Sequence, residues 1–409
     1  MARLSTPGPF STVRRTAVPA LFLSLAFLIG CEDGGTGLED TDPGGMTALA
    51  PGRWHTCGLN DAGYPFCWGN NDFGQLGNET SPHEVCTETE RCRKVPTLVS
   101  GELVFTHIMS GWYHACGIDP SGQAYCWGWN DAGQVGDGTT IDRPQPQPVA
   151  SGQSFKELTG GKFHSCGLTT GGAAFCWGLG DPTPSLVPGG HTFVQITAGE
   201  AHTCGLNETG TVFCWGADWH GQLGHGGETY QEIPVQVAGA HTFTQIDAGT
   251  VHTCGVDNQG RILCWGENKY GQLGDGILVD RGIPGPVQGN RTYTAVAAGR
   301  AFTCALDTSG AAYCWGENRW GQLADGTGSG EVVCLETGRQ DCRVEPSPIV
   351  GGHSFEGLRA MRAHACGHKA DGTAICWGWN AHGQVGNGNS SDQLEPTEVL
   401  GWPPANPGG

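Results

Sequence analysis

The chain contains 409 residues, of which 40 are acidic and 21 are basic, and its formal net charge is −19. This balance argues against binding to nucleic acid, because contact with phosphates requires clustered lysine and arginine. It suits an exported protein or one with a cationic partner, and the 19 cysteines point to an oxidising compartment.

The first thirty residues have the form of an export signal. Arg3, Arg14 and Arg15 supply a basic region, and the apolar run 16–30 is too short to remain as a spanning helix. That run ends in the letters LIGC, which resemble the bacterial lipoprotein signal. The resemblance implies cleavage before Cys31 and attachment of lipid to it, which would hold the protein at a membrane surface. The alternative is an ordinary signal peptide followed by a chance cysteine.

A tether follows the signal. Residues 32–45 are acidic and glycine-rich and contain no aromatic side chain, so they cannot bury enough apolar surface to fold. Cleavage after residue 30 removes three arginines and no acids, which leaves 18 basic against 40 acidic residues, a balance of −22. The sequence therefore predicts a signal peptide at 1–30, a lipidated and flexible segment at 31–45, and a location in the bacterial cell envelope. The membrane is contacted through the lipid alone, on the periplasmic or the cell-surface side.

One motif then recurs seven times. In the copy HTCGVDNQGRILCWGENKYGQLGDG, residues 252–276, two cysteines flank a turn that ends in glycine. A short loop that closes with a left-handed glycine is a common hairpin connection, and it places Cys254 opposite Cys264. The first cysteines of successive copies are 59, 50, 38, 50, 50 and 62 residues apart. The two long steps contain extra cysteines, and the short step lacks the GQLG segment.

The cysteines are predicted to form disulfides, because an exported chain meets an oxidising compartment. With Cys31 assigned to lipid, eighteen remain, and fourteen of them form seven pairs with identical spacing. These pairs are Cys57 with Cys67, Cys116 with Cys126, Cys166 with Cys176, Cys204 with Cys214, Cys254 with Cys264, Cys304 with Cys314, and Cys366 with Cys376. Two inserts hold the other four cysteines, Cys86, Cys92, Cys334 and Cys342.

The alternative for these cysteines is zinc binding, since most pairs follow a His-x-Cys pattern. Oxidised cysteines cannot be thiolate ligands, and Phe302 replaces one of the histidines. We therefore predict no metal and no cofactor.

Each copy holds four short strand candidates. From Ile233 they read IPVQVAG, FTQIDAG, HTCGVD and RILCWG, and none shows helical periodicity. Only the connection after CWG, the exit loop, is long. This predicts a four-stranded antiparallel meander followed by a step to the next sheet. Seven such sheets packed radially form an all-β, seven-bladed propeller.

The run AGxxHTCGL…CWGxNxxGQLGDG resembles the regulator of chromosome condensation repeat, and the resemblance covers residues 46–401. It implies a seven-bladed propeller, although the paired cysteines depart from the intracellular members of that family. The chain begins with the strand MTALAPG at 46–52 and ends with EPTEVLG at 395–401. We therefore expect the C-terminal strand to complete the N-terminal blade and close the ring, with residues 402–409 as a tail.

Strand direction places the turns that precede each histidine and the exit loops on one face of the propeller, together with both cysteine inserts. We call this the aromatic face. Tryptophan, tyrosine and arginine are frequent anchors of protein interfaces. The predicted partner-binding residues are Arg53, Trp54, Phe73, Trp112, Tyr113, Trp129, Lys162, Phe163, Trp219, Tyr270, Trp320 and Trp379. The alternative is that many of these rings pack between blades, the exit-loop rings above all. The CWG tryptophans and the recurrent histidines are interpreted as structural.

No catalytic motif is found, so the chain is predicted not to be an enzyme. Guanine-nucleotide exchange, which the family suggests, belongs to a nuclear member and disagrees with export. The fold and the aromatic face are similar to a secreted bacterial propeller that inhibits β-lactamases. We predict a monomeric, lipid-anchored extracytoplasmic interaction module with an unknown protein or glycan partner. The alternative is an enzyme that acts on an envelope glycan or peptide at the propeller channel.

Overall fold

A computed structural model describes residues 45–78, 84–86, 90–335 and 338–402. Cys31, the signal peptide and residues 31–44 of the tether lie outside these residues, as does the tail beyond Trp402. Within them every regular element is a β-strand, and the strands form seven antiparallel sheets. The prediction of an all-β, seven-bladed propeller is confirmed. The described residues contain no helix with the length and apolar character needed to span a membrane.

The first three blades each contain four strands in sequence order, from the centre of the ring outward. Blade 1 has β1 (Met46–Pro51), β2 (His55–Asn60), β3 (Pro65–Asn70) and β5 (Arg91–Leu98), with the short β4 (Glu84–Val85) at its edge. Blade 2 has β6 (His107–Ser110), β7 (His114–Ile118), β8 (Ala124–Gly128) and β9 (Arg143–Pro148). Blade 3 has β10 (Phe155–Gly160), β11 (His164–Thr169), β12 (Ala174–Gly178) and β13 (Asp181–Leu186).

The remaining four blades follow the same order. Blade 4 has β14 (Gln195–Ala198), β15 (His202–Leu206), β16 (Val212–Gly216) and β17 (Gln231–Gln236). Blade 5 has β18 (Phe243–Ala248), β19 (His252–Asp257), β20 (Ile262–Gly266) and β21 (Arg281–Pro286). Blade 6 has β22 (Tyr293–Ala298), β23 (Phe302–Asp307), β24 (Ala312–Glu317) and β26 (Gln340–Pro348), with β25 (Val332–Val333) at its edge. Blade 7 has β27 (Gly357–Met361), β28 (His364–His368), β29 (Ala374–Gly378) and β30 (Gln393–Glu398).

The hairpin of the second and third strands is the most regular part of each blade. In blade 5 the register places Cys254 opposite Cys264, and their Cα atoms are 4.1 Å apart. The turn requires Gly260, whose φ is 73°, because a side chain is strained in the left-handed region. The same spacing in every copy therefore fixes the same hairpin seven times.

Nine disulfides are present among the described residues, and each joins two cysteines of one blade. The hairpin bonds join Cys57 to Cys67, Cys116 to Cys126, Cys166 to Cys176, Cys204 to Cys214, Cys254 to Cys264, Cys304 to Cys314, and Cys366 to Cys376. The exit loops of blades 1 and 6 contain the other two bonds, from Cys86 to Cys92 and from Cys334 to Cys342. The pairing is that expected from the spacing of the cysteines in the sequence.

The boundary between blades differs from the sequence prediction. The exit loop joins two strands of one sheet, since β20 pairs with β21 and places Cys264 opposite Gly285. The short link after each fourth strand makes the step to the next blade. In blade 7, β30 pairs with β29, with Cys376 opposite Thr397. The expectation that residues 395–401 complete the N-terminal blade is therefore wrong.

The physical reason is that the exit loop folds back on itself. In blade 5, Asn268 Oδ1 accepts a hydrogen bond from Leu273 N at 2.9 Å, and Asn268 Nδ2 donates to Asp275 at 2.9 Å. Gln272 Oε1 accepts a hydrogen bond from Tyr270 N at 3.0 Å. These side chains satisfy backbone groups that an open loop would leave to water. A long loop therefore returns the chain to the same sheet.

The hydrophobic core lies between neighbouring blades rather than within one. One cluster, for example, joins Cys254 and Val256 of blade 5 to Val296 and Trp315 of blade 6. All seven CWG tryptophans are buried. Six of them donate Nε1–H to the backbone oxygen of the exit-loop glutamine in the preceding blade: Trp68, Trp127, Trp177, Trp265, Trp315 and Trp377. Trp215 cannot make this bond, because the exit loop of blade 3 lacks the GQLG segment.

Blade 1 packs against blade 7 as other neighbours do. Trp68 Nε1 donates to the backbone oxygen of Gln384 at 2.9 Å, and Thr56 Oγ1 donates to the same oxygen at 2.9 Å. Trp402, the first residue of the predicted tail, is buried with its ring 4.7 Å from that of Phe66. Side-chain contacts between the first and last blades therefore close the ring without a shared strand.

Candidate functional site

The turns that precede the histidines form a ring at the mouth of the central channel. Backbone hydrogen bonds join neighbouring turns, such as Trp112 N to Gly161 O at 3.1 Å and Lys162 N to Glu200 O at 3.0 Å. Each turn presents two side chains. In blade order the first positions are Arg53, Trp112, Lys162, Glu200, Thr250, Arg300 and Arg362, and the second are Trp54, Tyr113, Phe163, Ala201, Val251, Ala301 and Ala363. The aromatic side chains are thus confined to blades 1, 2 and 3, and the basic side chains lie in blades 6, 7, 1 and 3.

A buried histidine supports most of these turns. His114 Nε2 lies 2.8 Å from Ser165 Oγ of the next blade, and that hydroxyl donates to Gln134 O at 2.9 Å. Because the hydroxyl proton is committed to the carbonyl, His114 Nε2 is the donor in the first bond. Burial lowers the pKa of His114 to about 3, so the ring is neutral. The contacts of these histidines agree with the structural role predicted from their recurrence.

Blade 1 departs from this arrangement. The hydroxyl-bearing position opposite its histidine is occupied by Ala115, and both ring nitrogens of His55 are buried without a hydrogen-bond partner among the described residues. Burial lowers the pKa of His55 to about 3. Trp54 Nε1 and Arg53 Nε are likewise buried and unpartnered in the described part of the chain. Three consecutive residues at the mouth therefore carry unsatisfied polar atoms, which costs stability.

Aromatic rings on this face form one connected cluster across blades 6, 7, 1, 2 and 3. Trp54 lies at its centre, with ring centroids 5.0 Å from Tyr113, 6.3 Å from Trp379 and 4.9 Å from His382. Ring contacts extend the cluster to Trp320 on one side and to Trp112, Phe73, Trp129 and Phe163 on the other. The cluster presents a large and partly exposed surface.

Cations lie over these rings. Arg53 Cζ is 4.2 Å from the ring centroid of Trp112 and 5.1 Å from that of Trp54. Arg362 Cζ is 5.2 Å from Trp379 and 5.9 Å from Trp54. Lys162 Nζ is 4.9 Å from Trp112. These distances are typical of cation–π contacts, which hold the charges in place while leaving their donors available.

Eight of the ten aromatic residues predicted for the face join the cluster, and Trp219 and Tyr270 do not. The side chain of Trp219 points to solvent. It is 63% exposed and has no ring neighbour among the described residues. Asp72, Asp131 and Arg319 occupy the same position and are also exposed. Tyr270 is 8% exposed and packs beside Ala301 and the disulfide of Cys334 and Cys342.

Sequence reasoning missed three residues of the mouth. Arg300 and Arg362 stand at the same turn position as Arg53, so the repeat register could have identified them. His382 contacts both Trp54 and Trp379, and it occupies the exit-loop position of Phe73 and Trp320, so the repeat register could have identified it as well. Trp112, which was predicted to bind, is only 8% exposed and forms a platform between Arg53 and Lys162.

The central channel is the second region with grouped polar side chains. It encloses about 270 Å³ and is lined by the innermost strands. Gln195 Nε2 donates to Ile246 O at 2.9 Å, and Gln195 Oε1 accepts from Ile246 N at 3.1 Å. His107 Nε2 lies 3.0 Å from Leu158 O and 3.1 Å from Leu158 N, and this one nitrogen either donates to the oxygen or accepts from the N–H. The innermost strand of each blade has an edge whose backbone groups no other strand pairs with. Side chains from the preceding blade bond to some of these groups.

Two half-buried carboxylates in the channel have the same role. Asp247 accepts hydrogen bonds from Ala298 N at 2.8 Å and Thr197 Oγ1 at 3.0 Å, and burial raises its pKa. Burial raises the pKa of Glu157 to about 7, and the backbone of Ile196 bonds to it. Because these groups are committed to backbone atoms, their arrangement favours a structural role over catalysis.

One group of possible metal ligands occurs in the described part of the chain, at Cys334, Asp341 and Cys342. Its two sulfurs are joined in a disulfide, so they do not offer the thiolates that zinc requires.

Comparison with known sequences supports the assignment of the repeat. The sequence matches the Regulator of chromosome condensation (RCC1) repeat at residues 62–118, 121–168, 209–256, 259–306 and 371–405, which together exceed half of the chain. Among curated proteins, the Ultraviolet-B receptor UVR8 of Arabidopsis thaliana is 31% identical over 112 residues. The match covers 27% of this chain and 24% of the receptor, so the chain spans about a quarter of that relative.

Two solved structures show the same fold at low identity. Human WBSCR16 superposes with a TM-score of 0.70 and 18% identity, over 82% of this chain and 93% of that one. Prp20p from Saccharomyces cerevisiae, whose structure is described with its binding properties to Gsp1p and histones, gives a TM-score of 0.69 and 22% identity over 88% of each chain.

Proposed function

Because this chain belongs to the regulator of chromosome condensation repeat family, we propose that it is an interaction module that captures a protein partner on its aromatic face. Propellers of this family are interaction scaffolds, and Prp20p is described as binding proteins. The observation that carries the proposal is the connected ring cluster around Trp54, with Arg53 and Arg362 lying over it. Aromatic and arginine anchors dominate the binding energy of protein interfaces.

The partner surface is defined by contrast within the face. In blades 4 and 5 the second turn position carries Ala201 and Val251, which offer little contact area. In blades 1 to 3 it carries Trp54, Tyr113 and Phe163, which are held in place by their neighbours and lose little entropy on binding. A partner therefore gains most by covering blades 7 to 3.

We further propose that the module acts outside the cytoplasm and is anchored by lipid on Cys31. The LIGC sequence after an apolar run supports lipidation, and the cysteine pairs support an oxidising compartment. The test is the Cys31→Ser variant in intact cells. We expect the protein to leave the membrane fraction, and the wild-type peptide that begins at Cys31 to carry acyl chains by mass spectrometry. A wild-type protein that fractionates without the membrane contradicts this part of the proposal.

Guanine-nucleotide exchange is not part of the proposal. The structural likeness to Prp20p rests on 22% identity, which shows the fold alone. A channel enzyme is also disfavoured by the commitment of Glu157 and Asp247 to backbone atoms.

The proposed function is tested by crosslinking and capture from intact cells with the native anchor, followed by mass spectrometry. The variant Trp54→Ala/Tyr113→Ala/Trp379→Ala removes the centre of the cluster and should abolish capture. The matched control is Trp219→Ala, which removes an exposed tryptophan of the same face that lies outside the cluster. Thermal unfolding of both variants checks that the propeller remains folded. Capture by the triple variant with unchanged affinity would show that the face is wrongly assigned.

A further inference from the structure

Within the described part of the chain, two arginines at the mouth of the channel lack acidic partners. Arg53 and Arg362, on adjacent blades, both lie over the ring of Trp54, at 5.1 and 5.9 Å. No carboxylate among the described residues is within ion-pair distance of either. Arg300 stands at the equivalent turn position of blade 6, and its guanidinium is 4.0 Å from Glu317. Three arginines thus lie around the mouth. The acidic residue of the turn ring, Glu200, is paired with Lys162 at 3.3 Å.

The exit loops of blades 2, 5 and 6 each pair an arginine with an aspartate. Arg143 and Asp137 lie 2.6 Å apart, as do Arg281 and Asp275. Arg343 lies 2.9 Å from Asp325. The chain has 40 acidic residues against 21 basic ones, so the unpaired arginines do not result from a shortage of carboxylates. Arg53 and Arg362 are half-buried and lie over the same ring, so two guanidinium groups without a carboxylate at the mouth offer a place where a negative group from outside can be accepted.

The like charges at the mouth repel one another. Burial and then the charges of Arg53 and Arg300 lower the pKa of Arg362 to about 10. An anion placed between these groups would relieve the repulsion and receive charge-assisted hydrogen bonds. The guanidinium planes are already fixed on aromatic rings, so less side-chain entropy is lost when an anion binds.

We propose that the channel mouth on the aromatic face is a carboxylate-binding site, formed by Arg53 and Arg362 with Arg300 beside them, into which the partner inserts an aspartate or glutamate side chain. The proposal rests on the proposed function of the face and names the chemistry of the partner. The surrounding rings of Trp54, Tyr113 and Trp379 would hold apolar side chains that flank the acid. A polyanion is disfavoured, because the chain as a whole is strongly negative.

The test uses two synthetic pentapeptides, acetyl-GFEFG-amide and acetyl-GFQFG-amide, which differ in one charge. Binding to the disulfide-bonded exported protein is followed by tryptophan fluorescence at low salt. We expect the glutamate peptide to bind about tenfold or more tightly than the glutamine peptide, which is the typical gain from hydrogen bonds to a charged group. The preference should fall to about one in Arg53→Gln/Arg362→Gln. It should persist in Arg261→Gln/Arg291→Gln, which removes two exposed charges from the opposite face.

Equal affinity for the two peptides, or no saturable binding of either, overturns the carboxylate site. Inorganic phosphate is titrated in parallel, and phosphate binding that depends on Arg53 and Arg362 and exceeds that of the glutamate peptide overturns the assignment to a protein carboxylate. Partner capture separates this proposal from the proposed function. If the aromatic triple variant loses the partner while Arg53→Gln/Arg362→Gln retains it with unchanged affinity, the interaction face stands and the acidic insertion is wrong. If the triple variant still captures the partner, the face fails, and the peptide preference alone decides the carboxylate site.

Discussion

Blade 1 and blade 6 carry the same two additions, an arginine in the turn before the histidine position and a second disulfide in the exit loop. In blade 1 the turn continues with Trp54 and His55, and in blade 6 it continues with Ala301 and Phe302. Phe302 is buried, and the position that carries a hydroxyl in most blades is Ala365 beside it, so no polar group is left over. His55 also meets an alanine, Ala115, and its nitrogens stay unsatisfied.

This difference between blades 1 and 6 distinguishes residues that the fold requires from residues that the fold alone does not explain. The buried position accepts either a histidine with a hydroxyl or a phenylalanine with an alanine, because both avoid an unsatisfied Nε2. At blade 1 a histidine, His55, meets an alanine, Ala115, so neither favourable combination is formed beneath the centre of the aromatic cluster. A stability cost at this point, below Arg53 and Trp54, fits residues retained for binding.

The largest expected contrast between the two blades is in partner binding. Trp54 has three ring neighbours besides Arg53, whereas Trp320 of blade 6 touches the cluster through Trp379 and lies at its edge. Trp54→Ala should weaken partner binding by about 2 kcal/mol or more, and Trp320→Ala by less than about 1 kcal/mol, because central anchors dominate. Titration of the captured partner against both variants measures this. Equal losses would show that the cluster has no centre.

A smaller contrast should appear in acid. The pKa of His252 is lowered by burial to about 3, below the ordinary value of 6.5. As pH falls below about 6.5 the unfolded chain binds a proton that the folded chain does not, so stability is lost from there toward pH 3. Between pH 6.5 and 5 one such histidine lowers the free energy of unfolding by about 2 kcal/mol, and Phe302, which does not titrate, does not lower it.

The variant His252→Phe/Thr303→Ala converts blade 5 to the pattern of blade 6. Urea unfolding at pH 7 and pH 5 should show that it loses about 2 kcal/mol less than the wild type on acidification. Gln272 O keeps the hydrogen bond from Trp315 in this variant, so the change at pH 7 should be modest. An unchanged pH dependence would mean that the buried histidine takes up its proton without unfolding.

The smallest effect comes from repairing blade 1. Ala115→Ser should place a hydroxyl between His55 Nε2 and the backbone oxygen of Gln75, as Ser165 stands between His114 and Gln134. We expect a gain of about 1 kcal/mol in unfolding free energy. Ala365→Ser, beside Phe302, is the control and should bring no gain, because the ring offers no donor. Equal responses at the two sites would contradict the account of the His55 mismatch.

The blades could be predicted from sequence because the cysteine spacing and the turn glycine fix one hairpin in each copy. The blade boundary could not, since the length of an exit loop does not reveal that Asn268 and Gln272 fold it back. The partners of the histidines were equally hidden, because Ser165 is 51 residues from His114 and becomes adjacent only through blade packing.

The aromatic face could be predicted from strand direction, but residue type alone could not show which exit-loop rings join the cluster. Trp129 and Trp219 are both exit-loop tryptophans in the sequence, yet one joins the cluster and the other points to solvent. Arg362 is the opposite case, because its position in the repeat is that of Arg53 although its side chain is not aromatic.

The point where the chain enters the ring has a consequence for orientation. Met46 N donates to Gly372 O, within the hairpin turn of blade 7, so the first described strand starts on the side remote from the aromatic face. If Cys31 carries lipid as proposed, the connection to the membrane enters the propeller on that remote side. The arginine-lined mouth is then on the face that the entry of the chain leaves uncovered.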